Sequence, residues 1–129
     1  MKRAGILTAE LNRHLSMLGH TDTVVVSDCG LPHPPGVPVV DLAVVFGVPS
    51  FEEVLRAVVA EIVVEEAQIA VESLDRNPAV RTLVESLCGS ASLVTHDEFK
   101  RLSSKSRLLI RTGEASPYAN VILHCGVPF

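Results

Sequence analysis

Short β-branched runs alternate with amphipathic helical segments along this chain, and this alternation is the feature that most constrains its fold. Residues 23–27 form a β-branched run typical of a buried strand, whereas Leu11, Leu15 and Leu18 recur at helical spacing before Gly19. Helices that alternate with short strands pack as layers on a sheet. The sequence therefore predicts a single domain over residues 1–129, of the α/β class, with a layered α/β/α architecture and a mixed central sheet.

Local signals place the other elements. Four further segments are predicted as strands: Val39–Val45 with Asp41 inside it, Ala67–Val71, Leu108–Ile110 and Val121–Leu123. A long irregular loop rich in glycine and proline spans residues 30–38. Besides a first helix over residues 8–18, three helices carry capping patterns: Ser50 with Glu53 before a helix through Ala60, Asn77-Pro78 before a helix closed by Gly89, and Thr95 with Glu98 before a short helix.

Composition excludes several classes of protein. Hydrophobic residues make up 47% and charged residues 20% of the chain, which is enough to form a packed core. The net charge of −4 comes without a basic face, so we expect neither a nucleic acid nor an anionic membrane as partner. The N-terminal apolar run ends at Leu7, which is too short for a signal peptide, and the three cysteines fit reduced thiols. These features predict a cytoplasmic protein.

The segment Arg111–Asn120 holds the only tyrosine of the chain, which has no tryptophan. Gly113 and Pro117 indicate a turn, and beside it Tyr118 offers an aromatic ring and Asn120 an amide that both donates and accepts. A small polyhydroxylated ligand needs one apolar face covered and several hydroxyls paired. The segment therefore fits a sugar-binding turn, with an ordinary polar turn as the alternative.

Three further polar residues are candidates for chemistry. Asp28 directly follows the predicted strand at 23–27, where ligands of open α/β sheets gather, although it could simply cap the following loop. His20 lies in a turn before that strand, with Asp22 as a possible orienting group or as a solvated neighbour. His96 lies at a predicted helix N-terminus, where backbone N–H groups can face a ligand or solvent.

Motifs for other chemistries are missing. Cys29, His33, His124 and Cys125 are residue types that zinc accepts, but Pro32 lies between the first pair and a regular strand would point the last two to opposite faces. The chain has no G-x-S-x-G elbow, phosphate loop or G-x-G-x-x-G fingerprint. We therefore expect no metal and no cofactor, and any reaction would depend on protonation and positioning.

The candidate residues lie in motifs that resemble the D-ribose pyranase family, to which the fucose mutarotases are related. The most specific are the Gly-His-Thr-Asp turn at 19–22 and the Arg-Thr-Gly-Glu to Pro-Tyr-Ala-Asn run at 111–120. Ser-Asp-Cys-Gly-Leu-Pro at 27–32, His-Asp-Glu-Phe-Lys at 96–100 and the terminal Gly-Val-Pro-Phe also match. The resemblance extends from residue 5 to residue 129.

The resemblance implies an isomerase that interconverts the pyranose and furanose forms of D-ribose without a cofactor. It implies that His20 is the proton donor and that the sugar is bound by Asp28, His96, Tyr118, Ala119 and Asn120. It also implies a ring-like homodecamer in the cytoplasm, with sites near subunit contacts. A histidine near its ordinary pKa can transfer protons close to neutrality, so the implied chemistry is consistent with the residues present.

Some positions depart from the family pattern. Thr8, Cys29, Cys125 and Pro128 replace the usual residues without removing a proposed site group, whereas Ala115 replaces a bulkier residue and could loosen the sugar pocket. Two alternatives therefore stay open. One is a mutarotase for another sugar such as L-fucose, and the other is a non-catalytic sugar-binding subunit associated with ribose transport.

Overall fold

The computed structural model describes residues 1–129 and contains a six-stranded sheet with helices on both faces. The elements in chain order are α1 (Ala9–Ser16), β1 (Thr23–Ser27), β2 (Val39–Asp41), α2 (Phe51–Val59), β3 (Val64–Ala70), α3 (Ser73–Arg76), α4 (Pro78–Cys88), β4 (Ser92–Val94), α5 (His96–Ser103), β5 (Leu108–Arg111) and β6 (Val121–Cys125).

The sheet has the strand order β2-β5-β1-β6-β3-β4. Strand β6 is antiparallel to both of its neighbours, β1 and β3, whereas the β1–β5, β2–β5 and β3–β4 pairs are parallel. Five strands therefore run in one direction and β6 runs in the other. This confirms the predicted mixed sheet, and it gives the sheet one edge where five strands end and β6 begins, which we call the carboxyl edge. The opposite edge is the amino edge.

The core divides between the two faces of the sheet because side chains alternate along each strand. Val24 and Val26 of β1 belong to a cluster of 19 buried residues that includes side chains of α1, α2 and α4. Val25 faces the other way, into a cluster of five that includes Phe99 of α5. The layered α/β/α architecture predicted from the sequence is thus confirmed.

All four predicted helices are present, with two differences at their N-termini. The capping box at Ser50 and Glu53 forms in both directions. At α5 only half of it forms, because Thr95 accepts the Glu98 N–H while the Glu98 carboxylate accepts from Arg101 Nε at 2.7 Å. Asn77 makes no side-chain cap to α4, although Gly89 does end that helix with a φ of +85°. The Asn77 amide donates elsewhere, as described below.

The predicted strand at 39–45 is too long. Strand β2 ends at Asp41, because the carboxylate of Asp41 accepts the Ala43 N–H at 3.0 Å and pairs with Arg111 at 2.9 Å. The chain then turns outward and leaves Val44, Val45 and Phe46 exposed. Strand β3 starts earlier than predicted, and α3 and β4 were not predicted, since each has only three or four residues and no clear periodicity.

Candidate functional site at the carboxyl edge

The topology brings together most of the predicted sugar-binding residues. Asp28 follows β1, His96 follows β4, and Asn120 directly precedes the antiparallel β6, so all three lie at the carboxyl edge. Tyr118 and Ala119 belong to the segment that leads into β6. Ligands of open α/β sheets gather at this kind of edge, which is the rule that made Asp28 a candidate in the sequence.

Asp28 and Asn120 form the centre of this site. The Asn120 side chain accepts the Asp28 backbone N–H at 2.8 Å and donates to Asp28 Oδ2 at 2.9 Å. Asp28 Oδ1 accepts the backbone N–H groups of Gly30 and Leu31 at 3.0 and 2.9 Å. Asn120 is only 1% exposed, so its amide chiefly fixes the orientation of the Asp28 carboxylate.

The Arg-Thr-Gly-Glu part of the 111–120 segment holds the chain around Asp28. The guanidinium of Arg111 donates from Nε and Nη2 to the Cys29 carbonyl, both at 3.1 Å. Thr112 donates from its hydroxyl to the Ser27 carbonyl at 2.8 Å, and the Cys29 N–H donates to the Glu114 carbonyl at 2.9 Å. These bonds hold the backbone on both sides of Asp28, so this part of the segment is a scaffold.

Gly113 and Glu114 connect that scaffold to helix α2. A Cβ atom on Gly113 would lie 2.3 Å from the Val48 carbonyl oxygen and 2.6 Å from that of Val45. The Glu114 carboxylate accepts the Phe51 N–H at 3.1 Å, at the start of α2. Burial alone would raise the pKa of Glu114, but the hydrogen bonds from Phe51, Ser116 and Ala115 outweigh it and hold that pKa below its usual range.

Tyr118 and His96 form the aromatic wall. Their rings meet edge to face, with centroids 5.0 Å apart and an interplanar angle of 90°. Tyr118 has a φ of +56°, which is unusual for a bulky side chain and is found most often at functional sites. The Nδ1 atom of His96 is buried without a hydrogen-bond partner, so Nε2 is the ring nitrogen that a ligand could reach.

These residues enclose a polar cavity of about 300 Å³, at the lower end of the range for small-molecule sites. Ala119 is 1% exposed and absent from the lining, so only its backbone can contribute to binding. Ala115 is exposed and does not line the cavity either, so the expectation that it loosens the pocket finds no support within this chain. The lining consists of Asp28, Gly30, Leu31, Pro32, His96, Lys100, Tyr118 and Asn120.

His20 is not part of this cavity. It precedes β1, at the amino edge, whereas Asp28 follows β1 at the carboxyl edge. The strand from Thr23 to Ser27 alone spans roughly 13 Å. A single chain therefore does not bring His20 to the residues expected to bind the sugar. Asp22 does not orient His20, since its carboxylate accepts the Gly19 N–H at 2.9 Å.

The amino edge carries a different set of groups. An open groove of about 450 Å³ lies there, larger than the cavity at Asp28 and lined by polar groups that include Asp22, Lys105 and Arg107. None of the predicted sugar-binding residues lines it. No three His, Cys, Asp or Glu side chains cluster so as to hold a metal ion, and Cys29 and Cys125 lie at opposite edges.

Sequence reasoning missed several residues that support the site. Lys100 lines the cavity one helical turn after His96, a spacing that could have identified it. The pKa of Glu72 is lowered because its carboxylate accepts its own backbone N–H and that of His96, which fixes the start of α5. Asn77 donates to Ser116 and to the Pro117 carbonyl, at 3.0 and 2.9 Å, and so supports the turn before Tyr118. The contacts of Glu72 and Asn77 have no local sequence signal.

No helix of the chain has the length and apolar character of a membrane span.

Among solved structures, Bacillus subtilis RbsD complexed with D-ribose is 40% identical to the chain, with a TM-score of 0.95 and full coverage of both chains. The Streptococcus pneumoniae fucose mutarotase complexed with L-fucose has a TM-score of 0.84 with full coverage of both chains, but at 21% identity it shows a shared fold alone.

Sequence comparison gives the same family. The chain is 52% identical to D-ribose pyranase 1 of Rubrobacter xylanophilus and 48% identical to D-ribose pyranase of Exiguobacterium sibiricum, over 129 residues and the full length of each protein. A sequence model described as the RbsD / FucU transport protein family matches residues 1–128. The family resemblance found in the sequence motifs is confirmed, and this chain belongs to the RbsD / FucU family.

Proposed function

We propose that this protein is a D-ribose pyranase, a cofactor-independent isomerase that interconverts the pyranose and furanose forms of D-ribose. The observation that carries the proposal is the cavity at the carboxyl edge, where a fixed carboxylate, an aromatic wall and a lysine surround a space suited to one monosaccharide. The full-length relatives named D-ribose pyranase and the ribose complex of RbsD support the choice of sugar.

The reaction requires only proton transfers. Opening the pyranose breaks the bond between C1 and the ring oxygen, which gains a proton while the anomeric hydroxyl loses one. The open-chain aldehyde then closes when a different hydroxyl attacks C1 and both proton transfers are reversed. One positioned acid–base group typically accelerates such a step roughly 10²–10⁴-fold.

We assign the roles from these needs. Asp28, held by Asn120, accepts sugar hydroxyls, while Tyr118 covers one face of the ring. His96 binds a hydroxyl through Nε2, and the backbone at Ala119 completes the wall. His20 is the catalytic residue that gives a proton to the ring oxygen.

These roles require a second copy of the chain, because His20 and Asp28 of one chain lie at opposite edges of the sheet. We propose that the amino edge of one subunit faces the carboxyl edge of the next, so that His20 enters the neighbour's cavity. A head-to-tail contact of this kind closes into a ring when the rotation between subunits permits it. The family resemblance favours a cytoplasmic homodecamer.

Saturation-transfer NMR on D-ribose at equilibrium tests the activity. We expect added protein to speed transfer between pyranose and furanose signals, and His20→Ala to lower that rate roughly 10²-fold while ribose binding persists. Ribose binding without faster exchange would instead indicate a sugar-binding subunit. Faster exchange of L-fucose anomers with no effect on ribose would indicate a mutarotase for that sugar.

Subunit mixing tests the shared site. His20→Ala and Tyr118→Ala variants should each retain little activity, but a reassembled 1:1 mixture should regain about a quarter of the parent activity, the share of sites that receive both intact residues. A mixture of His20→Ala with itself, treated identically, is the control. Failure of the mixed oligomer to regain activity, with exchange of subunits verified by native mass measurement, would contradict a site built from two chains.

A further inference from the structure

We propose that Glu65 is the positioning residue for His20, and that it keeps the neutral imidazole in the tautomer with the proton on Nε2. The atom that exchanges protons with the sugar is then Nδ1. This inference rests on the catalytic role of His20 proposed above, but the contact itself can be measured without activity.

The contact between the two side chains defines the tautomer. Nε2 of His20 lies 3.1 Å from Oε1 and 3.2 Å from Oε2 of Glu65. An ionised carboxylate only accepts hydrogen bonds, whereas a neutral imidazole donates from one nitrogen and accepts at the other. Nε2 must therefore carry the hydrogen, and the Nδ1 lone pair stays available.

Exposure alone would make this pair weak, because the His20 and Glu65 side chains are 52% and 51% exposed. The backbone, however, directs Glu65 toward His20. The pairing of β3 with β6 shifts between Val64, opposite Cys125, and Glu66, opposite His124. Glu65 is thus the extra residue of a β-bulge, a feature that redirects a side chain and is common beside active sites.

Gly126 provides the path for the Glu65 side chain. A Cβ atom at this position would lie 2.5 Å from Cγ, 3.0 Å from Cδ and 3.1 Å from Oε1 of Glu65. The clash would be with a flexible side chain, so a larger residue here would displace Glu65 rather than disrupt the backbone. The carboxylate therefore depends on the missing side chain of Gly126 for its position.

The end of β6 holds both partners in fixed relation. Thr21, next to His20, donates its N–H to the Cys125 carbonyl at 3.0 Å, and Gly126 donates its N–H to the Val63 carbonyl at 2.9 Å. Thr21 has a φ of +69°, a strained conformation for a β-branched residue that persists only when its surroundings hold it. The strained backbone of Thr21, the β-bulge at Glu65 and the missing side chain of Gly126 thus all lie at the contact between His20 and Glu65.

The contact fits the proposed proton transfers. Protonated His20 gives its Nδ1 hydrogen to the ring oxygen as the bond from that oxygen to C1 breaks, and it becomes the neutral form with Nε2–H bonded to Glu65. Nδ1 then takes the proton of the hydroxyl that attacks C1. The proton of the anomeric hydroxyl passes to a water molecule and returns at closure, so all protons balance.

The test is ¹⁵N NMR of protein labelled in its five histidines, with the His20 signals identified by their loss in His20→Asn. Neutral His20 in the parent protein should show a protonated Nε2 and an unprotonated Nδ1. Glu65→Gln should give averaged ¹⁵N shifts, because a glutamine amide both donates and accepts and so pairs with either tautomer. Gly126→Ala, which displaces Glu65 by another route, should do the same.

Activity provides the second readout. We expect Glu65→Gln to lower kcat for ribose exchange about fivefold to tenfold, with unchanged ribose affinity, since the cavity at Asp28 is not altered. Glu66→Gln is the matched control: this neighbouring carboxylate bonds Ser92 and Gln68 instead of His20, so it should change neither readout.

The outcomes separate the two proposals. Averaged ¹⁵N shifts for His20 in a parent protein that exchanges ribose would overturn the role of Glu65 and leave the isomerase intact. Loss of activity in Glu65→Gln with unchanged tautomer populations would also overturn it. A fixed tautomer in a parent protein that does not exchange ribose would overturn the proposed function, and with it any catalytic purpose of the contact.

Discussion

The two ends of strand β1 are built in opposite ways. At the carboxyl edge, Asp28 is held by Asn120 and by two backbone N–H groups, and Arg111 fixes the chain beside it. At the amino edge, His20 contacts one carboxylate, and both side chains are about half exposed. The binding half of the proposed site is therefore complete within one chain, whereas the proton-transfer half faces outward.

This difference shows how a small domain can separate binding from chemistry. Oxygens that must be aimed at a ligand are stabilised by many short bonds, since reorienting them would cost several interactions at once. A proton-transfer group needs access to a second surface. Four substitutions at the carboxyl edge test this comparison, and three of them have a matched change at the amino edge that should have less effect.

The largest effect is expected from Asn120→Asp. The buried amide donates to Asp28, so a second carboxylate would place two like charges about 3 Å apart. We expect about 3 kcal/mol of lost stability near neutral pH and no detectable ribose binding. Two carboxylates this close share one proton, which raises the folded-state pKa of the pair. The loss of stability in the variant should therefore shrink as the pH falls toward about 4.

Urea unfolding of Asn120→Asp and the parent at several pH values measures this effect. Asp22→Asn at the amino edge is the matched control, because its carboxylate accepts only the Gly19 N–H in an exposed turn. A deficit for Asn120→Asp that is independent of pH would show that charge repulsion is not its cause.

Gly113→Ala should have the next largest effect. The added Cβ would meet two backbone carbonyl oxygens that cannot move independently, and overpacking of this kind costs about 2 kcal/mol. Gly19→Ala is the comparison, since its Cβ would meet only Asp22 Oδ2, at 3.8 Å. Thermal unfolding of both variants measures the contrast. Equal losses would contradict a carboxyl edge that is more tightly packed than the amino edge.

Glu114→Gln should have a smaller, pH-dependent effect. The folded-state pKa of Glu114 is lowered, so its stabilisation is present above the unfolded value of about 4.3 and is lost as the pH falls through the folded value. We expect about 1 kcal/mol of lost stability for the variant near pH 7, converging with the parent in acid. Urea midpoints of the variant and the parent between about pH 7 and about pH 4 measure this loss of stability. A difference in midpoint that widens in acid would contradict a lowered pKa for Glu114.

Lys100→Gln should have the smallest effect. Lys100 is exposed and lines the cavity, so we expect a KM for ribose raised about fivefold with little change in stability. Lys105→Gln, at the amino-edge groove, is the matched control and should leave the KM within about twofold. If the two variants raise the KM equally, Lys100 does not contact the sugar.

The fold followed closely from local patterns. The β-branched run at 23–27 and the capping box at Ser50 were sufficient because each encodes its structure within a few residues. The end of β2 was not predictable in this way, because it depends on the ion pair between Asp41 and Arg111, 70 residues apart in the chain. Asn77 failed as a cap for the same reason, since its amide bonds Ser116 and Pro117.

The candidate site, like the fold, was predictable from the sequence only where local signals were sufficient. Asp28, His96, Tyr118 and Asn120 were identified from the sequence and line one cavity, but no local pattern indicated that the Asn120 amide is buried and bonds Asp28. Glu65 carried no signal at all. Its contact with His20 depends on a bulge in β3 and on Gly126 at the end of β6, which no local pattern encodes.

The sequence by itself determined the types of most elements, the layered class, the family motifs and the residues able to bind a sugar or move a proton, because these depend on side-chain chemistry and short-range periodicity. Tertiary structure decided which of them meet. The antiparallel β6 brings Asn120 to Asp28 at one edge and Gly126 to Glu65 at the other. Strand order and direction arise from packing between distant segments, so they alone brought His96 and Asn120 to the Asp28 end of β1. The separation of His20 from Asp28, in contrast, follows from the strand that lies between them in the sequence.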